Sequence, residues 1–113
     1  MKPEDVQPKN FAPFKALYTD DEEEFSIAWG TWTAGEKPCR CLAMRWNGDM
    51  QDPDAHGYPV QGKYPLWFTL PDNLGYLIMK ALSGTSDKSV KKFIAKEELK
   101  AALSELGLTR GHI

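Results

Sequence analysis

Hydrophobic and polar positions alternate with period two from residue 25. Phe25, Ile27 and Trp29 fall on one face, Ser26, Ala28 and Gly30 on the other, and the run continues to Trp32. This predicts a half-buried strand with a kink at Gly30. The turn-forming stretch Thr33-Ala34-Gly35-Glu36-Lys37-Pro38 follows. Residues 39–46 alternate again, with Leu42, Met44 and Trp46 set against Cys41, Ala43 and Arg45. The two runs make a β-hairpin. Asn47-Gly48 closes it and opens a polar excursion over residues 49–63, punctuated by Pro53, Gly57, Pro59 and Gly62. A stretch that long without periodicity is typically functional or mobile. Leu66, Phe68 and Leu70 resume the alternation and predict a third strand over residues 65–70.

The period then changes to that of a helix. Pro71-Asp72-Asn73 suits a first turn, because the missing proline N–H would be unpaired there and Asp complements the dipole. Leu74, Leu77, Ile78, Ala81 and Leu82 form one apolar stripe, and Gly84 stops it. Residues 85–89 read as a linker, and residues 90–95 fit strand or helix equally. A second helix spans residues 96–106, striped by Leu99, Ala102, Leu103 and Leu106, with Gly107 at its end. Ahead of the hairpin, residues 1–24 carry Pro3, Pro8 and Pro13 and read as an extended arm, anchored by Phe11, Phe14, Leu17 and Tyr18. The organisation is one domain over residues 1–113: an acidic arm (1–24), a hairpin–strand–helix core (25–84) and a C-terminal helical extension (85–113). The fold class is α+β, a small twisted antiparallel sheet of three to four strands with one or two helices on one face. So few helices leave a sheet this aromatic uncovered on one side, which predicts a homodimer.

Composition sharpens this reading. A chain of 113 residues suits one domain and excludes a large multi-domain enzyme. It buries roughly 60–70% of its unfolded surface, enough for a core without disulfides or a structural metal. No apolar run reaches the roughly 18 residues that cross a bilayer, and the first residues lack a secretory h-region, so a cytoplasmic location is expected. Net charge is −2, giving no global positive field, and it is unevenly distributed. Residues 1–36 hold three Lys against eight acids, five of them consecutive in Asp20-Asp21-Glu22-Glu23-Glu24. Such a block reads as a solvated turn or an interaction tail. Residues 81–113 hold six bases against four acids.

Candidate chemistry is sparse. Cys39 and Cys41 project from the same face of a strand, where a bridge between them would be strained, so they read as reduced thiols. Metal binding lacks ligands beyond His56 and His112. Residues 87–98 imitate a calcium loop ending in Glu98, but Lys91 and Lys92 stand where an oxygen ligand and the obligatory Gly belong. Phosphate-loop, nucleophile-elbow and metalloprotease signatures are missing. Neither an enzyme nor a cofactor is expected. What remains is a sheet rich in tryptophan, with Trp29, Trp32, Trp46 and Trp67 interleaved with Lys37, Arg40, Arg45 and Lys63. Flat aromatic faces and cations along one groove suit sequence-tolerant binding of single strands. On pattern alone, the reading that comes first is that the same tryptophans are core or dimer filling, with the bases on a solubilising outer face.

The order hairpin, long polar loop, strand and helix resembles the single-stranded-DNA-binding domain of the transcriptional coactivator p15/PC4 family. The resemblance covers residues 25–84 and rests on Arg45-Trp46 followed by Asp52-Pro53, and on Lys63-Tyr64-Pro65-Leu66-Trp67-Phe68-Thr69-Leu70-Pro71 running into a helix. It implies two chains paired through their helices and a nucleic-acid groove on curved sheets. It makes Arg45 and Trp46 the backbone and base contacts, with Trp32, Lys37 and Lys63 added by position. The expectation is a non-catalytic, nucleic-acid-binding accessory protein acting as a homodimer on single strands. The alternative is a structural or regulatory interaction module that holds a protein segment or a small apolar ligand.

Overall fold

A computed structural model describes residues 1–110. A 3-10 turn at Pro3–Asp5 precedes strands β1 (Phe11–Asp20), β2 (Phe25–Trp32) and β3 (Cys39–Trp46). Short strands β4 (Val60–Gln61), β5 (Tyr64–Pro65) and β6 (Phe68–Thr69) follow, then helices α1 (Asp72–Gly84), α2 (Lys88–Lys91) and α3 (Lys96–Arg110). The main sheet is antiparallel in the order β1-β2-β3-β6, and β4 pairs with β5 in a separate hairpin. The architecture is α+β. Among the described residues no helix is long and apolar enough to cross a membrane.

The expected β2–β3 hairpin is present, in register from Phe25↔Trp46 to Trp32↔Cys39. Directly opposite residues share a face. One face of the sheet therefore carries Ile27, Trp29 and Leu42, which pack with Met79 of α1 and with Leu99, Ala102 and Leu106 of α3. The other carries Ala28, Cys41 and Ala43, packed with Val6, Phe11 and Trp67.

The arm expected over residues 1–24 is in large part a full strand. β1 pairs along β2 from Phe11↔Trp32 to Asp20↔Phe25, with irregularities between Phe11 and Phe14 and between Ala16 and Tyr18. The bulges break the period-two signal and accommodate Pro13, which has no N–H to give a ladder. Gly30 is where β1 crosses most closely: an added Cβ would lie 2.6 Å from the Phe14 Cβ and 2.8 Å from the Pro13 carbonyl oxygen.

Other elements shift as well. The third strand splits, Tyr64–Pro65 pairing with β4 and Phe68–Thr69 with β3, while Trp67 between them turns into the second face. In α1 the buried positions are Gly75 and Met79, with Ile78 and Leu82 half-buried, so Leu74, Leu77 and Ala81 of the expected core stripe are exposed. The missing side chain at Gly75 sets this rotation, since a Cβ there would stand 3.2 Å from that of Leu42. The ambiguous segment at 90–95 ends the short helix α2 and then bridges Ile94 to Tyr18 along the outer edge of β1. Gly107 is buried inside α3 rather than ending it.

The second face is not open. Residues 1–10 and the 47–67 excursion cover it, and Trp67 is nearly fully buried against Phe11 and Phe14 with its Nε1 donating to the Val6 carbonyl at 2.9 Å. The chain itself supplies the layer for which a second copy was expected, so the uncovered-face reason for a dimer does not apply.

Candidate functional site

Arg45 lies near the end of β3 and is the residue the family resemblance weights most. It is 1% exposed. Strand alternation points it to the second face, where its Nη1 donates to the Leu66 carbonyl and its Nη2 to the His56 carbonyl. The guanidinium also lies over the Trp67 ring, 6.0 Å from its centroid. Burial pulls its pKa down to about 10, so it remains charged at neutral pH. Two carbonyls of an irregular segment hold it, which makes it a staple for the 47–67 excursion and keeps it from a phosphate. Nearby, Asn47 Nδ2 donates to Ser26 Oγ at 2.7 Å, and the Met1 ammonium donates to the carbonyls of Asn47, Asp49 and Ala55. Among the described residues Arg45 Nε, Asn47 Oδ1 and His56 Nδ1 are buried with no hydrogen-bond partner.

The next residue points the other way. Trp46 exchanges both backbone hydrogen bonds with Tyr58, at 2.7 and 2.9 Å, forming an isolated antiparallel bridge. Such a pair places both side chains on one face. Phe25 stands opposite Trp46 on its other side, the two rings edge-on at 4.8 Å. Phe25, Trp46 and Tyr58 thus form one row across the sheet end. The adjacent row is Ile27, Met44 and Phe68, roughly 7 Å along the strands. Trp46 is 50% exposed, Tyr58 67% and Phe68 59%, all on the helix-bearing face. Leu74 and Leu77 of α1 add exposed apolar surface to that layer.

Both segments that adjoin the row in sequence are acidic. Asp20 ends β1 and the β1–β2 turn holds Asp21 to Glu24, and the loop from Trp46 to Tyr58 holds Asp49, Asp52 and Asp54 with neither Lys nor Arg. Of the two readings of the five-acid block, a solvated turn or an interaction tail, the structure shows a turn over residues 21–24, while Asp20 is a buried strand residue that holds it. Asp20 is buried, accepts from the Tyr18 hydroxyl at 3.0 Å, and accepts the backbone N–H groups of Glu22 and Glu23 at 2.9 Å each. Burial, with the Asp20 carboxylate adding to it, pushes the Tyr18 phenol up to about 12. Lys92 pairs with Glu22 at 2.8 Å.

The five residues expected to share a groove are dispersed. Arg45 is internal, and Trp46 is exposed at one end of the sheet. Trp32 pairs with Cys39 at the opposite end and packs partly against the second-face cluster. Lys37 is exposed in the β2–β3 turn beyond that end, roughly 25 Å from Trp46 along β3, and Lys63 is exposed at the tip of the β4–β5 hairpin. Trp29 is core, its Nε1 donating to Glu105 at 3.0 Å with Arg40 over its ring. Cys39 is exposed and Cys41 buried, and burial pushes the Cys41 thiol up to about 11, which removes it as a nucleophile at neutral pH. Sequence reasoning missed Phe25, Tyr58 and Phe68 as partners of Trp46. Tyr58 stands in the aperiodic loop, and its only local signal is the flanking Gly57 and Pro59. Comparison of the chain with protein-family models, curated proteins and solved structures gives no match.

Proposed function

We propose that the protein is a non-catalytic interaction module that docks a basic polypeptide segment on the row Phe25–Trp46–Tyr58 and the neighbouring Phe68. The observation that carries this reading is three largely exposed rings at the sheet end where the acidic β1–β2 turn and the acidic loop after Trp46 begin. Rings in this setting accept Lys or Arg side chains over their faces, worth about 0.5–1 kcal/mol each at exposed sites. The surrounding carboxylates steer a cationic partner inward and repel a phosphate backbone. Binding of single strands loses its principal cation, because Arg45 is held by backbone carbonyls.

The test is a fluorescence or NMR titration with a short peptide of alternating Lys, Arg and Leu, run beside oligothymidylate. The peptide should bind saturably and more weakly at higher salt, shifting resonances of Phe25, Trp46, Tyr58 and Phe68. Trp46→Ala should weaken it about tenfold or more, as truncating a central tryptophan does in other interfaces. Tighter binding of the oligonucleotide, or a peptide affinity indifferent to Trp46→Ala, would overturn the proposal.

A further inference from the structure

A separate cavity of about 310 Å³ lies between the C-terminal end of α1, the α2 segment and α3. Its apolar wall is Leu82, Ile94, Leu99 and Leu103, and its polar lining includes Lys91, Lys96 and Lys100. No carboxylate is among its lining residues, and among the described residues none of these three lysines forms an ion pair. The volume lies at the small end of ligand pockets, about 300 Å³ upward.

Glu97 and Glu98 in the first turn of α3 suit the helix dipole, but the lysines on the cavity side do not. Lys96 sits at its first position, where the positive end of the dipole disfavours a cation. Lys96 and Lys100 are four residues apart, a like-charge pair on one face. The acids that would ordinarily relieve them, Glu97, Glu98 and Glu105, line a different cavity beside Trp29 and Arg40. A hydrocarbon-walled hollow beside three unpaired ammonium groups matches a ligand with an apolar chain and an anionic head.

We infer that this cavity binds a medium-chain fatty carboxylate, its alkyl chain against Leu82, Ile94, Leu99 and Leu103 and its carboxylate among Lys91, Lys96 and Lys100. The site shares no residue with the aromatic row, so each proposal stands or falls alone. The test is an amide chemical-shift titration of the full chain with octanoate, 1-octanol and acetate. Octanoate should saturate, with shifts centred on residues 82–85 and 91–103. The alcohol tests the chain without the charge and acetate the charge without the chain, and each should bind at least about tenfold more weakly. The double variant Lys96→Glu, Lys100→Glu changes exposed side chains only and should cost octanoate a similar factor while leaving the spectrum folded. Equal binding of octanol or acetate, unsaturable shifts, shifts centred elsewhere, or indifference to the double variant would overturn the inference.

Discussion

The two faces of the central sheet are sealed by different means. On one, α1 and α3 lay apolar stripes over Ile27, Trp29 and Leu42, and each helix satisfies its own backbone. On the other, residues 1–10 and the 47–67 excursion lie over Ala28, Cys41 and Ala43 with little regular structure. Irregular chain packed on a core brings carbonyls that no ladder or helix satisfies, and these need donors from elsewhere. The donors are side chains of the sheet and its cover. Arg45 reaches the carbonyls of His56 and Leu66, Trp67 that of Val6, and the Met1 ammonium those of Asn47, Asp49 and Ala55. A buried arginine without a carboxylate is thus the consequence of covering a sheet with loop instead of helix.

The largest test of this difference is Trp67→Ala. It removes the central ring of the second-face cluster and should destabilise the fold by about 4 kcal/mol, read as a lowered midpoint in urea. Trp67→Phe keeps most of the packing but leaves the Val6 carbonyl unpaired, and should cost about 1–2 kcal/mol. A loss below about 1 kcal/mol for the alanine variant would make the loop layer an accessory cover and not half of the core. Next in size is Arg45→Met, which preserves apolar bulk and removes both donors. With two carbonyls left unpaired, the loss should be about 2 kcal/mol. Buried charges are often replaced by hydrophobes at no cost. A methionine variant as stable as the parent would therefore show that the carbonyls find other partners, and that Arg45 is not a staple.

The same contrast explains what could be read from the chain beforehand. The hairpin and the two alternating sets of its strands followed from alternation, because one side of each strand meets a continuous apolar layer. The stripe of α3 was legible for that reason too, through Leu99, Ala102 and Leu106. The stripe of α1 was read about one position off, since Gly75 contributes a close approach and no hydrophobic signal. β1 was hidden by its bulges and by Pro13. The cover of the second face carried no periodic signal: it is aperiodic, and the group that holds it is a cation, a residue type that sequence reading places outside. That is why Arg45 was expected in a groove with Trp46, although adjacent strand residues point to opposite faces. Trp46 alone of the pair stays in solvent, and its companions Tyr58 and Phe68 come from segments whose pairing only the folded chain reveals.

The smallest effect sharpens the helix-covered face. Glu105 of α3 accepts from Arg40 Nε at 2.8 Å and from Trp29 Nε1 at 3.0 Å, tying the helix to the sheet with partly exposed groups. The Arg40 hydrogen bonds, with a further contribution from Trp29, hold its carboxyl below the ordinary value of 4.5. A carboxylate with a depressed folded value binds fewer protons in the native state than in the unfolded one. Its contribution is therefore complete above the ordinary value and is lost as pH falls through the lowered one. Glu105→Gln should cost about 0.5 kcal/mol at neutral pH, the scale of exposed ion pairs, and less at high salt. The difference from the parent should shrink as pH drops below that of ordinary carboxylates, measured by urea denaturation across the acid range. A difference that persists unchanged into strong acid would mean that helix packing, and not this carboxylate, supplies the attachment.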